Sequence, residues 1–487
     1  MKKLWIILCI LSLVVSPVLA DGIDPPEDGE EQTQSPDAPV STGSSSSEPY
    51  VVPGAAYTVQ AKSAMLIEMG TNQVLFEQNA DQRIYPASLT KIMTCMLTLE
   101  HGNLSDVITV SETAMQGLSA AGSTANIQPG EQLTLEELLY CMMLSSANEA
   151  CNIAGEYVAG SVDGFVAMMN ERAAELGCTG THFNNPHGLH DENHYTTARD
   201  LSIIAREALK NETFRTITST VTHEVPPTNV SEARSLSTTN LLITPNSHYY
   251  YEPAKGVKTG FTSQAGLCLV STASNGRMEL LSVLCGADYV FLDTGEQENQ
   301  NFTETKALFE YGFANFSYTK VLTTLYPITQ VEVLNTGGPE YSLLAPDHEV
   351  TALLPADYDE QDIVQEISLR SPQGVEAPIA QGQVLGHVKV SYQDHMLGES
   401  DLVAITDIPR ATMTVQAEET KSFLAVNWWK ILFFCLLGFV LLYVALICVN
   451  RWRARKYRAA RAARRKKVID LPDDHWGGDD WSGDDIP

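Results

Sequence analysis

Positive charge is scarce in this chain: 31 Lys and Arg stand against 60 Asp and Glu over 487 residues, a formal net charge of -29. Such a surface repels a phosphate backbone, so nucleic acid is not an expected partner. Close-paired cysteines are lacking too. Cys9, Cys435 and Cys448 fall in apolar stretches near the two ends, and Cys95, Cys141, Cys151, Cys178, Cys268 and Cys285 are scattered through the body. Neither zinc-site spacing nor the density of a disulfide scaffold is present. These cysteines read as small core residues, no bridge is assigned, and no metal or other cofactor is expected.

The two ends are more telling. Lys2 and Lys3 precede an apolar stretch over residues 4–15 and the small-residue site Val18-Leu19-Ala20. This is the pattern of a secretory signal over residues 1–20, its apolar run being shorter than the roughly 20 residues a bilayer span needs. Residues 21–54 contain PPEDGEEQ and STGSSSSEP, which nearly lack large apolar side chains. They cannot offset the entropy of folding and read as a disordered linker. Residues 431–449 are apolar throughout, Trp428, Trp429 and Trp452 flank them, and ten Lys or Arg lie between Arg451 and Lys467. That is the pattern of a transmembrane helix with its basic flank inside. The expected protein is single-pass in the cell membrane, its bulk extracytoplasmic, with residues 450–487 a short cytoplasmic tail, basic and then acidic.

Between the ends, residues 63–68 and 73–77 read as strands around Gly70-Thr71-Asn72, followed by a helix-like run over 88–99. Thr134 with Glu137 is a capping-box signal ahead of Leu138, Leu139, Met142 and Met143, and 149–159, 163–176 and 197–209 have helical spacing. Residues 256–261, 266–273 and 277–286 are strand-like, the last two joined by the turn signal Ser274-Asn275-Gly276. Strands at both ends of a helical middle imply one α/β (α+β) domain over 55–316, its sheet completed by the C-terminal strands. After a helix near 302–314, short alternating segments at 330–334, 363–369, 384–392 and 401–405 imply a small all-β domain over 317–415. It holds no catalytic cluster, and spacing or binding near the membrane is its expected task.

Three elements carry chemistry: Ser88-Leu89-Thr90-Lys91, Ser146-Ala147-Asn148 and Lys258-Thr259-Gly260. Each is weak alone; their order and placement give them weight. The first opens a helix, the second sits at a helix-helix junction and the third lies inside a strand. Residues three apart on a helix share a face, so Lys91 reaches the Ser88 hydroxyl. A serine is a poor nucleophile until a base takes its proton, and a lysine serves only if its pKa falls through burial or a neighbouring cation. Lys258 is the expected cation. Histidine is the competing base, but the cluster His182, His187, His190 and His194 has no G-x-S-x-G partner and no H-E-x-x-H spacing, and reads as a structured loop.

These motifs resemble those of the low-molecular-weight penicillin-binding proteins, the D-alanyl-D-alanine carboxypeptidases of serine peptidase family S11. YPASLTKIMT, MLSSANEACNIA, NPHGLHDENHYTTARDL and GVKTGFTSQAGLCLVSTA extend the likeness over about residues 55–315; the β-rich part resembles the family's C-terminal domain more loosely. The resemblance implies the fold shared by serine β-lactamases and penicillin-binding transpeptidases. It implies an acyl-enzyme on Ser88, with Lys91 as proton acceptor and Ser146 relaying a proton to the leaving D-alanine. Asn148 is implied to hold the substrate amide, Lys258 and Thr259 the terminal carboxylate. Gly260 completes that substrate-binding motif, and the N–H groups of Ser88 and Phe261 are the implied oxyanion hole. The implied partners are peptidoglycan stem peptides ending in D-Ala-D-Ala and β-lactam antibiotics. A β-lactamase of the same fold is the first rival, yet no E-x-x-L-N-like segment lies between Ser146 and Lys258 to supply its deacylation base. The second is a silent wall-binding scaffold, which would be expected to have lost motif residues. The full span and acidic tail depart from the family pattern.

Overall fold

The computed structural model of the protein describes residues 57–119, 122–292 and 295–469. The signal and linker expected over 1–54 and the acidic end of the tail lie outside the described residues.

The first hairpin forms as expected, with β1 (Ser63–Glu68) antiparallel to β2 (Val74–Gln78). The helical middle holds α1 (Lys91–His101), α2 (Leu135–Met143), α3 (Asn148–Ala159), α4 (Val162–Glu175), α5 (Ala198–Ala208) and α6 (Glu212–Ser219). Two short antiparallel ribbons accompany them: β3 (Val107–Thr109) with β4 (Gln132–Thr134), and β5 (Thr222–Val225) with β6 (Arg234–Ser237). Side-chain caps start several helices. Thr134 accepts from Glu137 N at 3.2 Å, as its sequence signal implied, and Thr197 accepts from Asp200 N at 3.0 Å. Each such cap satisfies an otherwise open N–H and contributes about 1 kcal/mol. Helix α6 carries no signal that was read from the sequence, because its threonine-rich run has poor helix propensity. The Asn211 cap and burial of Phe214 and Ile217 on one face decide it.

The strands β7 (Ala254–Thr262), β8 (Gly266–Ser274) and β9 (Glu279–Ala287) complete the sheet in the order β2-β1-β9-β8-β7. Nearly every residue of β8 and β9 is buried, which is why their sequences run apolar instead of alternating. One face packs Met65, Ile67, Val270, Leu281 and Val283 against the helices through Leu89, Ile92, Leu138 and Phe165. The other buries Leu66, Leu75, Leu269, Leu280 and Leu284 with Phe302, Leu308 and Phe309. Those last three lie on α7 (Gln300–Asn315), which follows the small hairpin β10 (Tyr289–Phe291) and β11 (Gln297–Asn299). The six cysteines of this domain are buried, as small core residues should be.

The next unit is all-β. Strand β12 (Phe316–Leu322) pairs with β15 (Val350–Pro355), and a six-stranded sheet has the order β16-β18-β19-β14-β13-β17. Its members are β13 (Thr329–Leu334), β14 (Tyr341–Pro346), β16 (Ile363–Leu369), β17 (Val375–Glu376), β18 (Val384–Tyr392) and β19 (His395–Ala404). Val331, Leu344, Leu354, Val388 and Leu402 are among its core. Helix α8 (Thr412–Ile469) contains the expected span: 420–461 has a mean hydropathy peak of 3.0, and Phe434, Leu441 and Trp428 are exposed around it. A helix apolar on all sides and covered by no protein suits lipid.

Candidate active site

Strand β7 forms one edge of the sheet and runs beside the turn that carries Ser88. That turn, Ala87–Thr90, is a 3-10 turn, and α1 begins only at Lys91, three residues later than expected for a helix opening at Ser88. The cause lies in its neighbours. Ala87 is held at φ +47, outside helical space, and both flanking elements approach it through glycine. A Cβ on Gly260 would stand 3.1 Å from Ser88 N and 3.2 Å from Ala87 Cβ; one on Gly188 would overlap the Ala87 carbonyl. Gly188 itself has φ +88. Gly188→Ala therefore combines backbone strain with a clash, a cost of at least about 2 kcal/mol. The expected fall in Tm is roughly 4–8 °C, with slower acylation. Gly117→Ala, at φ +71 but with nothing within 4 Å, should lose clearly less in the same thermal scan.

Lys91 is fully buried, and its Nζ reaches three oxygens: Ser88 Oγ at 3.0 Å, Asn148 Oδ1 at 2.8 Å and the His187 carbonyl at 2.7 Å. Two of these are acceptors only. Burial holds the lysine pKa well below its usual value. In its neutral form the amine would spend its two N–H bonds on Asn148 and His187 and turn its lone pair to the Ser88 hydroxyl; as an ammonium it donates to all three.

Asn148 is the first residue of α3, and its N–H donates to Ser123 O at 2.9 Å. A Cβ on Gly122 would lie 2.6 Å from its Nδ2, so a larger residue there would displace that amide. Ser146 occupies the α2–α3 junction at φ +56, nearly buried, with its side chain among those lining the cleft. Strain of this kind persists where surrounding structure over-determines it.

Lys258 is buried as well and donates to Thr259 O at 3.1 Å. Its pKa is pulled down to about 7, by burial first and by the Lys91 charge second. Thr259 Oγ1 lies 2.5 Å from Thr239 Oγ1. The cleft, about 720 Å³, is lined by Ser88, Ser146, Asn148, Thr259, Gly260 and Phe261 with serine, threonine, asparagine and glutamine neighbours; among the described residues no Asp, Glu, Lys or Arg lines it. All three motifs thus meet at one place.

The histidine loop supports this arrangement through its hydrogen bonds. Burial depresses His187 to about 3 and His194 to about 4. His187 Nδ1 accepts from Leu189 N, and His194 Nδ1 accepts from Asn184 N while its Nε2 meets Thr90 Oγ1 at 2.7 Å. Sequence reading missed the part that matters, the His187 carbonyl, since a main-chain group has no residue signature. It also missed Glu149, whose buried carboxylate holds Thr124 Oγ1 and Ala125 N at 2.6 and 2.8 Å and so fastens the loop beside Asn148. Thr239 was missed too.

A sheet flanked by helices, with a buried lysine on a serine at a strand edge and a separate all-β unit, defines a penicillin-binding fold. Penicillin-binding protein 5 of Haemophilus influenzae is similar over 73% of this chain and 99% of its own, at 27% identity and a TM-score of 0.53. Residues 48–289 match the D-alanyl-D-alanine carboxypeptidase family model, and 316–410 match that of the penicillin-binding protein 5 C-terminal domain. The D-alanyl-D-alanine carboxypeptidase DacF of Bacillus subtilis is 33% identical over 376 residues, 76% of this chain and 90% of that protein. DacA of Escherichia coli is 28% identical over 74% of this chain and 86% of its own length. The chain belongs to the D-alanyl-D-alanine carboxypeptidase family, peptidase family S11.

Proposed function

We propose that the protein is a serine-type D-Ala-D-Ala carboxypeptidase of the cell surface. It would remove the terminal D-alanine from peptidoglycan stem peptides through an acyl-enzyme on Ser88, and penicillins would acylate the same serine. The observation that carries this reading is the Lys91 amine, whose only uncommitted position faces Ser88 Oγ.

Ser88 Oγ attacks the carbonyl of the penultimate residue as Lys91 takes its proton. The oxyanion is met by the N–H groups of Ser88 and Phe261, each such donor being worth on the order of 10²–10³ in rate. Ser146 passes a proton to the departing amine, the C–N bond breaks, and D-alanine leaves. Water then attacks the ester with Lys91 again as base, releasing the shortened peptide. Asn148 steadies the substrate amide, and Lys258 with Thr259 binds the terminal carboxylate. Among the described residues the cleft lining includes no carboxylate to drive rapid hydrolysis of a penicilloyl ester, which weighs against a β-lactamase. The test is D-alanine release from a D-Ala-D-Ala peptide by the membrane-inserted full chain.

Lys258→Ala separates carboxylate recognition from base tuning. A charge-assisted bond contributes roughly 1.5–3 kcal/mol, about one to two decades in rate. The variant should lose that much on a free-acid peptide and on penicillin, and much less on a peptide whose last carboxylate is amidated; equal losses would mean that Lys258 acts mainly through Lys91. The pH profile makes the same distinction. Carboxylate binding needs Lys258 protonated, so kcat/KM on the free acid should fall as pH rises through the Lys258 midpoint, which is about 7 only while Lys91 carries its charge. That limb moves upward once Lys91 is neutral, since one cause of the depression is then gone. The amidated peptide should lack it.

A further inference from the structure

A buried carboxylate stands beside the reacting groups and has no task in the reaction. Glu149 follows Asn148 in the first turn of α3 and is 3% exposed. One of its oxygens, Oε1, takes both the Thr124 hydroxyl at 2.6 Å and the Ala125 N–H at 2.8 Å. Among the described residues no basic side chain forms an ion pair with it; Arg234, the cation beside its neighbour Cys141, is taken by Glu131.

A neutral amide in that place would accept the same two bonds, and burying it costs far less than burying a carboxylate. The charge at position 149 therefore calls for a use. What lies within its field is the reacting lysine. The adjoining Asn148 holds Lys91 Nζ at 2.8 Å through its Oδ1, and the groups that act on that amine are few. Burial disfavours its charged form, while Cys151 and Glu149 favour it. Burial also pushes the Cys151 thiol up to about 11, so at neutral pH the thiol is uncharged and Glu149 remains as the anion. Cys95 on α1 and Cys141 on α2 are thiols that burial raises likewise. Lys258 on β7 is the opposing cation and feels Lys91 in return. His187 and His194 are kept neutral, chiefly by burial.

A lysine stripped of its charge by burial alone is a weak proton acceptor, and proton transfer slows as its base weakens. We infer that Glu149 is a positioning residue for the reaction: its Oε1 fixes the 122–125 loop beside Asn148, and its negative charge supports proton uptake by the neighbouring Lys91. The inference rests on the reading of Lys91 as the base of a carboxypeptidase. It gives one side chain two duties, and two substitutions separate them.

Glu149→Gln keeps an oxygen for both bonds and removes the charge. Glu149→Asp keeps the charge and, one methylene shorter, draws back from Thr124 and Ala125. Tm, kcat/KM for D-alanine release and the rate of penicillin acylation are measured on the membrane-inserted full chain, both rates against pH. Losing a negative charge lowers the proton affinity of the amine, so the acid limb of both profiles should move down by roughly 0.5–1 pH unit in Glu149→Gln. Its plateau should fall roughly 2–4-fold as the base weakens, at a wild-type Tm. Glu149→Asp should do the reverse, with Tm lower by roughly 2–4 °C and an acid limb within about 0.3 unit of wild type. An acid limb that stays in place in Glu149→Gln, or moves no further there than in Glu149→Asp, overturns the assignment and leaves a structural role only. Should Glu149→Gln not fold, Glu149→Asp decides alone, and an acid limb displaced by about one unit or more counts against the inference. Penicillin acylation tells the two readings apart. A wild type that releases no D-alanine while its acylation profile still shifts in Glu149→Gln overturns the carboxypeptidase reading and leaves Glu149 in its role; a wild type with no acid limb in either reaction overturns Lys91 as base and the role of Glu149 with it.

Discussion

Ser88→Ala is expected to lower D-alanine release by at least about 10⁴-fold and to abolish covalent labelling by penicillin. The alanine removes only Oγ. Asn148 Oδ1 and the His187 carbonyl still hold Lys91 Nζ, so the site should keep its shape and go on binding peptide. Loss of rate with retained binding is the mark of a nucleophile, because the remaining groups stabilise a tetrahedral species that no longer forms. Mass spectrometry of the penicillin-treated chain is the check. In the wild type, the added mass should sit on the peptide containing Ser88 and persist far longer than the peptide acyl-enzyme. An adduct that survives in Ser88→Ala, on Ser146 for instance, would sink the assignment; fast penicillin turnover by the wild type would move the reading to β-lactamase.

How much of this was legible in the sequence depended on range. The Ser88–Lys91 relation spans three residues, and any helical or 3-10 turn delivers it; the Ser146 junction and the Lys258 strand are likewise local. What fixes their chemistry is not local. Lys91 Nζ and the His187 carbonyl are 96 residues apart, Lys91 and Asn148 are 57 apart, and no periodicity encodes such meetings. The left-handed Ala87 that displaces the start of α1 is explained only by Gly188 and Gly260 arriving from two other elements. The histidine loop is the instructive case. Its four histidines read as a structured loop instead of a base or a metal site, and Asn185 Oδ1 accepting from His187 N and Gly188 N shows that loop to be a rigid turn that presents a carbonyl. The C-terminal sheet was legible strand by strand where alternation held, as at β18, which spans the expected residues 384–392. Its order, with β16 and β17 at opposite ends, comes from packing alone.

Lys91→Arg carries the second large effect and decides what the lysine does. If Lys91 served as a fixed positive charge that lowers the Ser88 pKa, arginine would keep much of the rate, since it is charged at every accessible pH. If Lys91 is the base, arginine has no lone pair to give, and the loss should match that of Lys91→Ala, about 10³–10⁴-fold. The second outcome is expected, because burial disfavours the charged form of the amine, which lies 3.0 Å from Ser88 Oγ. Both variants also disturb the site. Lys91→Ala leaves Asn148 Oδ1 and the His187 carbonyl without their donor, at roughly 1–3 kcal/mol each, so its Tm should fall. A small primary amine added to Lys91→Ala can occupy the vacated space, satisfy those two oxygens and present its own lone pair to Ser88. Partial return of D-alanine release, rising with the fraction of added amine that is unprotonated, is the expected result. Rescue that instead follows the ammonium form, or an arginine variant that works nearly as well as wild type, would show that charge and not proton transfer is the lysine's contribution.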